Sequence, residues 1–482
     1  MYAKNPRWFL TEEQDALRES VARLARERVA PRAAEVDATA QYPQDIFELL
    51  AQNGLTGITI PEAYGGSGAG LLELCVVVEE LAKVCTTTAL MPVMSNIAGV
   101  MLLRFGSDQQ KATLLPRLAR GEVRFSNALT EADAGSDAAS IRSKAATTSD
   151  GYEISGAKSY ITGTTLSDVF IVFAKHADGA AAGRVSAFLV PRDRPGITIG
   201  PLEKKMGIRG MPTGGLFFDK VTVPRDARLG AEGQGLSVLL SSMTGNRPAI
   251  GARGVGLAQG AFEIAVDHCL NRKMLGGTLM DLQGLQFKLA DLAIAIEASR
   301  QLVHAGARLV DQGVATKDLM GMLAMGKCLA TDTAMQVAIE AVQCLGATGY
   351  SSDAPVERLM RDAKHLQLVD GVTSGIAGTD FGGVTGAADG IAELTAGLGE
   401  LSDGAEGLAA LTGGQYAYLD GVIQGIDTSQ FDSLGELTAA VTELRMAVAQ
   451  LETGVLGLAD LTAGQLALAE AIRSSNATLL AS

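Results

Sequence analysis

Apolar residues recur at three- and four-residue spacing among charges in "EEQDALRESVARLARERVAPRAAEV", which predicts amphipathic helix. "LLELCVVVEELAKVC" and "SNIAGVMLLRFG" read as buried helices, and "DQQKATLLPRLARGE" returns to the surface pattern, so residues 11–120 are helical. From about 121 to 232 the period changes. "RFSNALTE", "YEISGAKSYIT", "DVFIVFAK", "RVSAFLVP", "ITIGPLE" and "GGLFFDKVTVP" are short β-branched or aromatic runs separated by turn residues, which predicts an antiparallel sheet or barrel. The helical period returns at about 233 and holds through "APVERLMRDAKHLQLV". The order is α, then β, then α, an α+β multidomain chain with segments 1–120, 121–232 and 233–371.

Residues 372–482 break the pattern. They hold no Pro, Cys, His or Lys and are built largely from Gly, Ala, Leu, Thr and acidic residues. Leu434, Leu437, Val441, Leu444, Val448 and Leu451 step by three and four, a heptad seam, and Leu394, Leu398, Leu401, Leu408 and Leu411 form a second, glycine-broken one. This predicts an appended acidic helical hairpin or coiled coil, with a partly disordered segment as the competing reading, because each glycine weakens a helix by roughly 1 kcal/mol.

Charge sharpens the division. The chain of 482 residues carries −14 overall, and the tail, with two basic and fourteen acidic residues, holds −12 of it. The body is nearly neutral, so neither part suits nucleic acid. Hydrophobic content of 47% and charged content of 20% are those of a soluble globular protein. No stretch approaches the roughly 18 uninterrupted apolar residues of a membrane span, and the N-terminus does not read as a secretory signal, so a cytoplasmic location is expected. The five scattered cysteines predict reduced, buried thiols, and four unpaired histidines, His176 in a loop and His268 and His304 on helices, argue against a zinc site. "PEAYGGSGAG" lacks the strand before and the Gly-Lys-Ser/Thr after that a phosphate loop needs, so an inter-helix turn is the better reading.

Three stretches can carry chemistry. "ALTEADAGSDAAS" leaves a strand with the hydroxyls of Thr130 and Ser136 and a tight Ala-Gly-Ser turn, which would let backbone N–H groups approach a planar or phosphorylated ligand; a plain polar turn reads about as well. "YITG" sets Tyr160 and Thr162 two residues apart, on one face of a strand. In "NRKMLGGTLMDLQGLQ", Arg272 and Gln283 flank a glycine turn between helices, an anion grip. Asp370–Gly371 closes the last helix of the body, either as a simple helix stop or as a carboxylate base.

In this order these stretches resemble the acyl-CoA dehydrogenase family of flavoproteins. "PEAYGGSG", "LTEADAGSD", "KSYITG", "GIRGMPT", "NRPAIGARGVGLAQGA", "QGLQFKLADL", "QCLGATGY" and "PVERLMRDAK" carry the resemblance over residues 8–371. It implies an N-terminal helical domain, a middle β-barrel-like domain and a C-terminal four-helix bundle, with FAD between them. It also implies a homo-oligomer, tetramer or dimer, that desaturates an acyl-CoA thioester and passes electrons to electron-transfer flavoprotein. Position by position, Leu129 and Thr130 would contact the flavin ring, Ser136 the flavin or pyrophosphate and the substrate. Tyr160 would stand where the family commonly has a shielding Trp, and Thr162 near the flavin N5. Arg272, Gln283, Gln343 and Gly346 match positions that reach the FAD of a neighbouring subunit. Met243 and Thr244 would line the acyl site, and Arg247 would sit near the catalytic carboxylate. That carboxylate falls on Asp370, six residues after Lys364, where most of the family has Glu; a second base position used by some members holds Asn246, which cannot serve. Departures from the family pattern are Ala132 in place of a proline, Leu275 in place of an aromatic residue, and the whole segment after Gly371. Two alternatives stay open: another acyl-CoA reaction on the same scaffold, or an inactive oligomeric platform for the tail.

Overall fold

The structure, a computed structural model, describes residues 10–274 and 276–369. The calls on Asp370, on Leu275 and on the 372–482 tail lie outside the described residues. The first helices are α1 (Glu12–Leu24), α2 (Ala30–Thr39), α3 (Gln44–Gln52), α4 (Leu71–Ala82), α5 (Thr86–Phe105) and α6 (Asp108–Ala119). Thr11 and Ser107 open α1 and α6 with reciprocal capping boxes to Gln14 and Gln110, so the polar residues that start each run do so through orphan backbone N–H groups.

The run "SNIAGVMLLRFG", expected to be a buried helix, forms the second half of α5 and is one. α5 is long and apolar enough to cross a membrane, yet 78% of its most apolar window is buried inside the protein. Its neighbours α4 and α7 (Gly235–Asn271) cover it, so it is apolar on nearly every side because it is core. The "PEAYGGSGAG" segment is an inter-helix turn, but a packed one: a Cβ on Gly66 would meet the Ile60 carbonyl oxygen at 2.0 Å.

The strands are β1 (Phe125–Ala128), β2 (Lys144–Thr147), β3 (Gly151–Thr162), β4 (Val169–His176), β5 (Val185–Pro191), β6 (Ile197–Leu202), β7 (Thr213–Pro224) and β8 (Arg228–Leu229). They form one sheet in the order β6-β7-β3-β2-β4-β5-β8, with β1 beside β4. The expectation of a purely antiparallel sheet is corrected, because β1 and β2 both run parallel to β4. Strand direction depends on how the chain enters from α6 and crosses between strands, which no local pattern encodes. Alternation explains the apolar run in β4: Phe170, Val172 and Ala174 face a core enclosed by the sheet itself, while Ile171 and Phe173 face α5 and α6. His176, expected in a loop, ends β4 and is buried against Ser186, with its Nε2 2.8 Å from the hydroxyl oxygen.

After α7 come a short ribbon, β9 (Lys273–Met274) and β10 (Gly277–Thr278), then α8 (Gln283–Asp311), α9 (Met320–Leu345), α10 (Ala347–Tyr350) and α11 (Pro355–Leu368). α7, α8, α9 and α11 pack as a bundle, and α4 lies against it, so the N-terminal helices and the bundle share one apolar core. Gly256 and Gly260 make the α4–α7 contact possible: a Cβ there would stand 2.2 Å from the Glu79 carbonyl oxygen and 2.1 Å from that of Lys83. At the same junction Arg300 donates to Glu79 Oε1 (2.9 Å) and to Gln259 Oε1 (2.8 Å), a buried tie between α8, α4 and α7. Of the cysteines, Cys75, Cys85 and Cys269 are buried free thiols, whereas on α9 Cys328 is exposed and Cys344 half-buried. The expectation that all are buried fails for these two because a small thiol on a helix is apolar enough to read as core in any register.

Candidate active site

The loop leaving β1 is fixed backbone atom by backbone atom. Ser159 N donates to the Thr130 carbonyl (2.8 Å), and Lys158 Nζ donates to the Leu129 carbonyl (3.0 Å). The tight turn is not Ala-Gly-Ser but Glu131–Ala134, closed by paired backbone hydrogen bonds of 3.0 and 3.2 Å; Gly135 and Ser136 follow it, exposed. Leu129 is buried and Thr130 half-buried, and the Thr130 hydroxyl makes no hydrogen bond among the described residues.

β3 carries the second expected contact stretch, bent by a bulge. Its register with β7 breaks between Lys158 and Ile161, and Tyr160 takes a left-handed backbone, φ +57°, uncommon outside glycine. Strict alternation, which would set residues 158, 160 and 162 on one face, is therefore lost. Lys158 is buried, Tyr160 is 66% exposed and Thr162 is half-buried. Behind Thr162, Ser126 Oγ donates to its carbonyl (2.5 Å) and meets Ser167 Oγ at 2.5 Å. The 129–131 loop and the 158–163 bulge are thus one hydrogen-bonded unit.

Sequence reasoning missed the pair beneath that unit. Lys158 Nζ bonds Glu131 Oε1 (2.8 Å), with the lysine side chain wholly buried. Burial outweighs the pairing and brings the ammonium down to about 8. Burial also pushes Glu131 up, but hydrogen bonds from Lys158, from Ser143 and from the backbone N–H groups of Arg142 and Ser143 win, holding the carboxyl below its usual range. A lysine and a glutamate in otherwise apolar or turn sequence were the available signal.

On α7 the structure gathers Met243, Thr244, Asn246 and Arg247. Met243 is half-buried and Thr244 buried. Pro248, inside the helix, lacks the N–H that would close on the Thr244 carbonyl. Asn246 is fully engaged: its Oδ1 accepts from Asn96 of α5, and its Nδ2 donates to the Ser242 carbonyl (2.7 Å). Arg247 is 8% exposed and makes no hydrogen bond or ion pair among the described residues. Its nitrogens are not among the fully buried atoms without a partner, so the guanidinium keeps an open side on which a complementary anion can pair with it.

α11, whose chain leads directly to residue 370, is clamped in place. Asp362, buried and pushed up by desolvation, accepts from Ile208 N (2.5 Å) and Thr86 Oγ1 (3.0 Å). Arg361 reaches Asp37 of α2 (3.0 Å), Glu357 (2.8 Å) and the Met206 carbonyl (2.8 Å). The side chains of "RDAK" thus tie α11 to α2, α5 and the turn before β7.

Arg272, Gln283, Gln343 and Gly346 are all exposed. They stand where α7 ends, α8 begins and α9 ends; Leu279 N donates to the Arg272 carbonyl (3.0 Å), and Gly346 takes φ +60°. The 25 residues of rise from Arg247 to Arg272 span about 37 Å. Arg272 therefore stands at the far end of α7 from Arg247.

Residues 11–122, 126–221 and 233–376 match, in turn, the N-terminal, middle and C-terminal domains of acyl-CoA dehydrogenase. This chain belongs to the acyl-CoA dehydrogenase family. It is 41% identical over 362 residues to the probable acyl-CoA dehydrogenase fadE25 of Mycobacterium leprae, covering 75% of this chain and 92% of that one. Among solved structures it is similar to butyryl-CoA dehydrogenase from Megasphaera elsdenii, with a TM-score of 0.73, 34% identity and coverage of 76% and 98%. It is also similar to a glutaryl-CoA dehydrogenase from Mycobacterium smegmatis in complex with FADH2, with a TM-score of 0.69, 25% identity and coverage of 77% and 96%. The fold, N-terminal helices, middle β domain and C-terminal helices, is the acyl-CoA dehydrogenase fold. The chain is an FAD-dependent acyl-CoA dehydrogenase, an oxidoreductase of fatty-acid metabolism. Its donor set fits that cofactor: an unengaged hydroxyl at Thr130, a loop whose carbonyls are tied down on the protein side, and exposed Arg and Gln side chains suited to phosphate and amide groups.

Proposed function

We propose that the chain catalyses α,β-dehydrogenation of an acyl-CoA thioester, with Asp370 removing the α-proton. The α-proton of a thioester is far too weakly acidic for a free carboxylate, so the enolate oxygen must receive preorganised hydrogen bonds in a site closed to water. When bound, FAD supplies the hydride acceptor for the β-carbon, and electron-transfer flavoprotein is the expected onward acceptor. Leu129, Thr130, Tyr160 and Thr162 orient the ring, Ser136 reaches the pyrophosphate and substrate, and Met243 and Thr244 line the acyl chain. Arg247 holds the base's charge in position.

The observation that carries this reading is the contrast between two neighbours on α7. The alternative base position is an asparagine spent on structural hydrogen bonds, while the next residue is a buried guanidinium without a counter-charge among the described residues. Asp370, two residues beyond the end of the clamped helix α11, is the carboxylate at a family base position. The separation of the Arg272, Gln283, Gln343 and Gly346 group from Arg247 supports a homo-oligomer in which that group serves a neighbouring subunit's FAD. Exposed Phe287 and Ile294, seven residues apart on α8, give the apolar surface such an assembly buries. A cytoplasmic location goes with this reading.

The test is anaerobic addition of a panel of acyl-CoA thioesters to the purified yellow protein. Loss of the flavin band with at least one thioester supports dehydrogenation; a stable band with all of them points to different acyl-CoA chemistry, and colourless protein to an inactive platform.

A further inference from the structure

The Lys158–Glu131 pair occupies a place where an apolar pair would pack at least as well, since replacing a buried ion pair by apolar side chains is often neutral or stabilising. Its geometry goes beyond filling space. Glu131 Oε1 accepts from Lys158 Nζ (2.8 Å), Ser143 Oγ (2.6 Å) and Ser143 N (3.0 Å), and its Oε2 accepts from Arg142 N (2.6 Å). The carboxylate is therefore immobile against the strand start that precedes β2. The remaining reach of the ammonium goes to one backbone atom, the Leu129 carbonyl oxygen, at 3.0 Å.

A trans peptide is planar, so its C=O and N–H point in opposite directions. Holding the Leu129 carbonyl towards Lys158 turns the Thr130 N–H to the opposite side. That N–H makes no hydrogen bond among the described residues. The next peptide is fixed the same way by Ser159 N on the Thr130 carbonyl (2.8 Å), while the Glu131 N–H is used inside the turn, on Ala134. The left-handed backbone at Tyr160 keeps the arrangement possible. It breaks the alternation of β3, so that Lys158 points into the protein while Tyr160 is exposed. One strand thus serves both sides of the loop.

We propose that Lys158, locked by Glu131, is a positioning residue for the flavin: it fixes the Leu129–Thr130 peptide so that the Thr130 N–H is presented to the ring as a preorganised donor. This rests on the reading that Leu129 and Thr130 meet the flavin. Lys158 touches neither substrate nor cofactor; it acts through the peptide it holds.

The experiment uses the full chain, stripped of FAD and titrated with FAD. Four variants are compared with wild type: Lys158→Met, Glu131→Gln, the double variant Lys158→Met/Glu131→Leu, and Thr130→Pro, which removes the N–H. The readouts are FAD Kd, the visible flavin spectrum and thermal stability. The proposal predicts that Lys158→Met and Glu131→Gln each raise the FAD Kd at least tenfold and shift the visible band. The double variant recovers wild-type stability without recovering either flavin property, which a merely structural pair would not do. Should Lys158→Met not fold, Glu131→Gln and the double variant carry the same comparison. If Thr130→Pro perturbs the flavin and the pair variants do not, the loop meets the ring and the positioning role is overturned. If Thr130→Pro leaves Kd and spectrum unchanged, the loop does not meet the ring and both readings fall.

Discussion

Asn96 of α5 donates its side-chain amide to the side-chain oxygen of Asn246 on α7, and Asn96 in turn accepts from Thr59. The chain continues through Asn246 Nδ2 to the Ser242 carbonyl at 2.7 Å. Asn246 is therefore part of the contact between two helices. Removing it strands the amide of Asn96 in a buried site, which costs about 1–3 kcal/mol. Asn246→Leu is expected to lower the unfolding free energy by that amount while leaving the flavin bound. Denaturant unfolding followed by CD, with FAD content from absorbance, checks both halves.

Arg247 should behave in the opposite way. Its buried guanidinium makes no ion pair among the described residues. Deleting a charge kept for structure alone lowers stability, whereas deleting a charge kept for the site lowers turnover. Arg247→Met is expected to unfold at or above the wild-type temperature. Its kcat/KM with an artificial electron acceptor should fall by roughly 10²–10³-fold, the usual loss when a preorganised electrostatic group is deleted. Arg247→Lys should lie between the two.

His365 sets a pH limit. Desolvation, together with the charges of Arg253, Lys205 and Lys327, brings its imidazole down to about 3. In the unfolded chain the ring titrates near 6.5. The folded state thus keeps it neutral while the unfolded state takes up a proton, so stability is full above about 6.5 and falls as pH drops towards 3. The slope is about 1.4 kcal/mol per pH unit for one group. His365→Gln should flatten the dependence of Tm on pH between 7 and 5, by scanning calorimetry. An unchanged slope would mean that other groups set the acid limit.

Much of the scaffold could be read from periodicity, because the helices bury one stripe and β4 and β5 bury both faces. The loop 128–140 was legible for its small residues and hydroxyls leaving a strand, and the stretch 160–163 for an aromatic ring and a hydroxyl two residues apart; that hydrogen bonds join the two was not. What escaped were relationships that no local pattern carries. The parallel pairing of β1 and β2 with β4 depends on the path between them. Lys158 was passed over because alternation sets it on the same face as Tyr160, and only the left-handed turn at Tyr160 parts them. Asn246 was excluded as a base on chemical grounds, but its role as a bridge to Asn96 required the packing of α5 on α7. The buried character of α5, by contrast, was legible in "SNIAGVMLLRFG", and the Thr and Ser residues that interrupt its apolar run are buried with it.

The central claim concerns proton removal by Asp370, and rapid mixing measures it most directly. Full-length wild type and Asp370→Asn, both loaded with FAD and matched for FAD content, are mixed anaerobically with the thioester that bleaches wild type fastest. The account predicts that the Asn variant binds the thioester yet reduces its flavin at least a thousand-fold more slowly. Equal reduction rates in the two proteins would contradict it and assign the proton to another group.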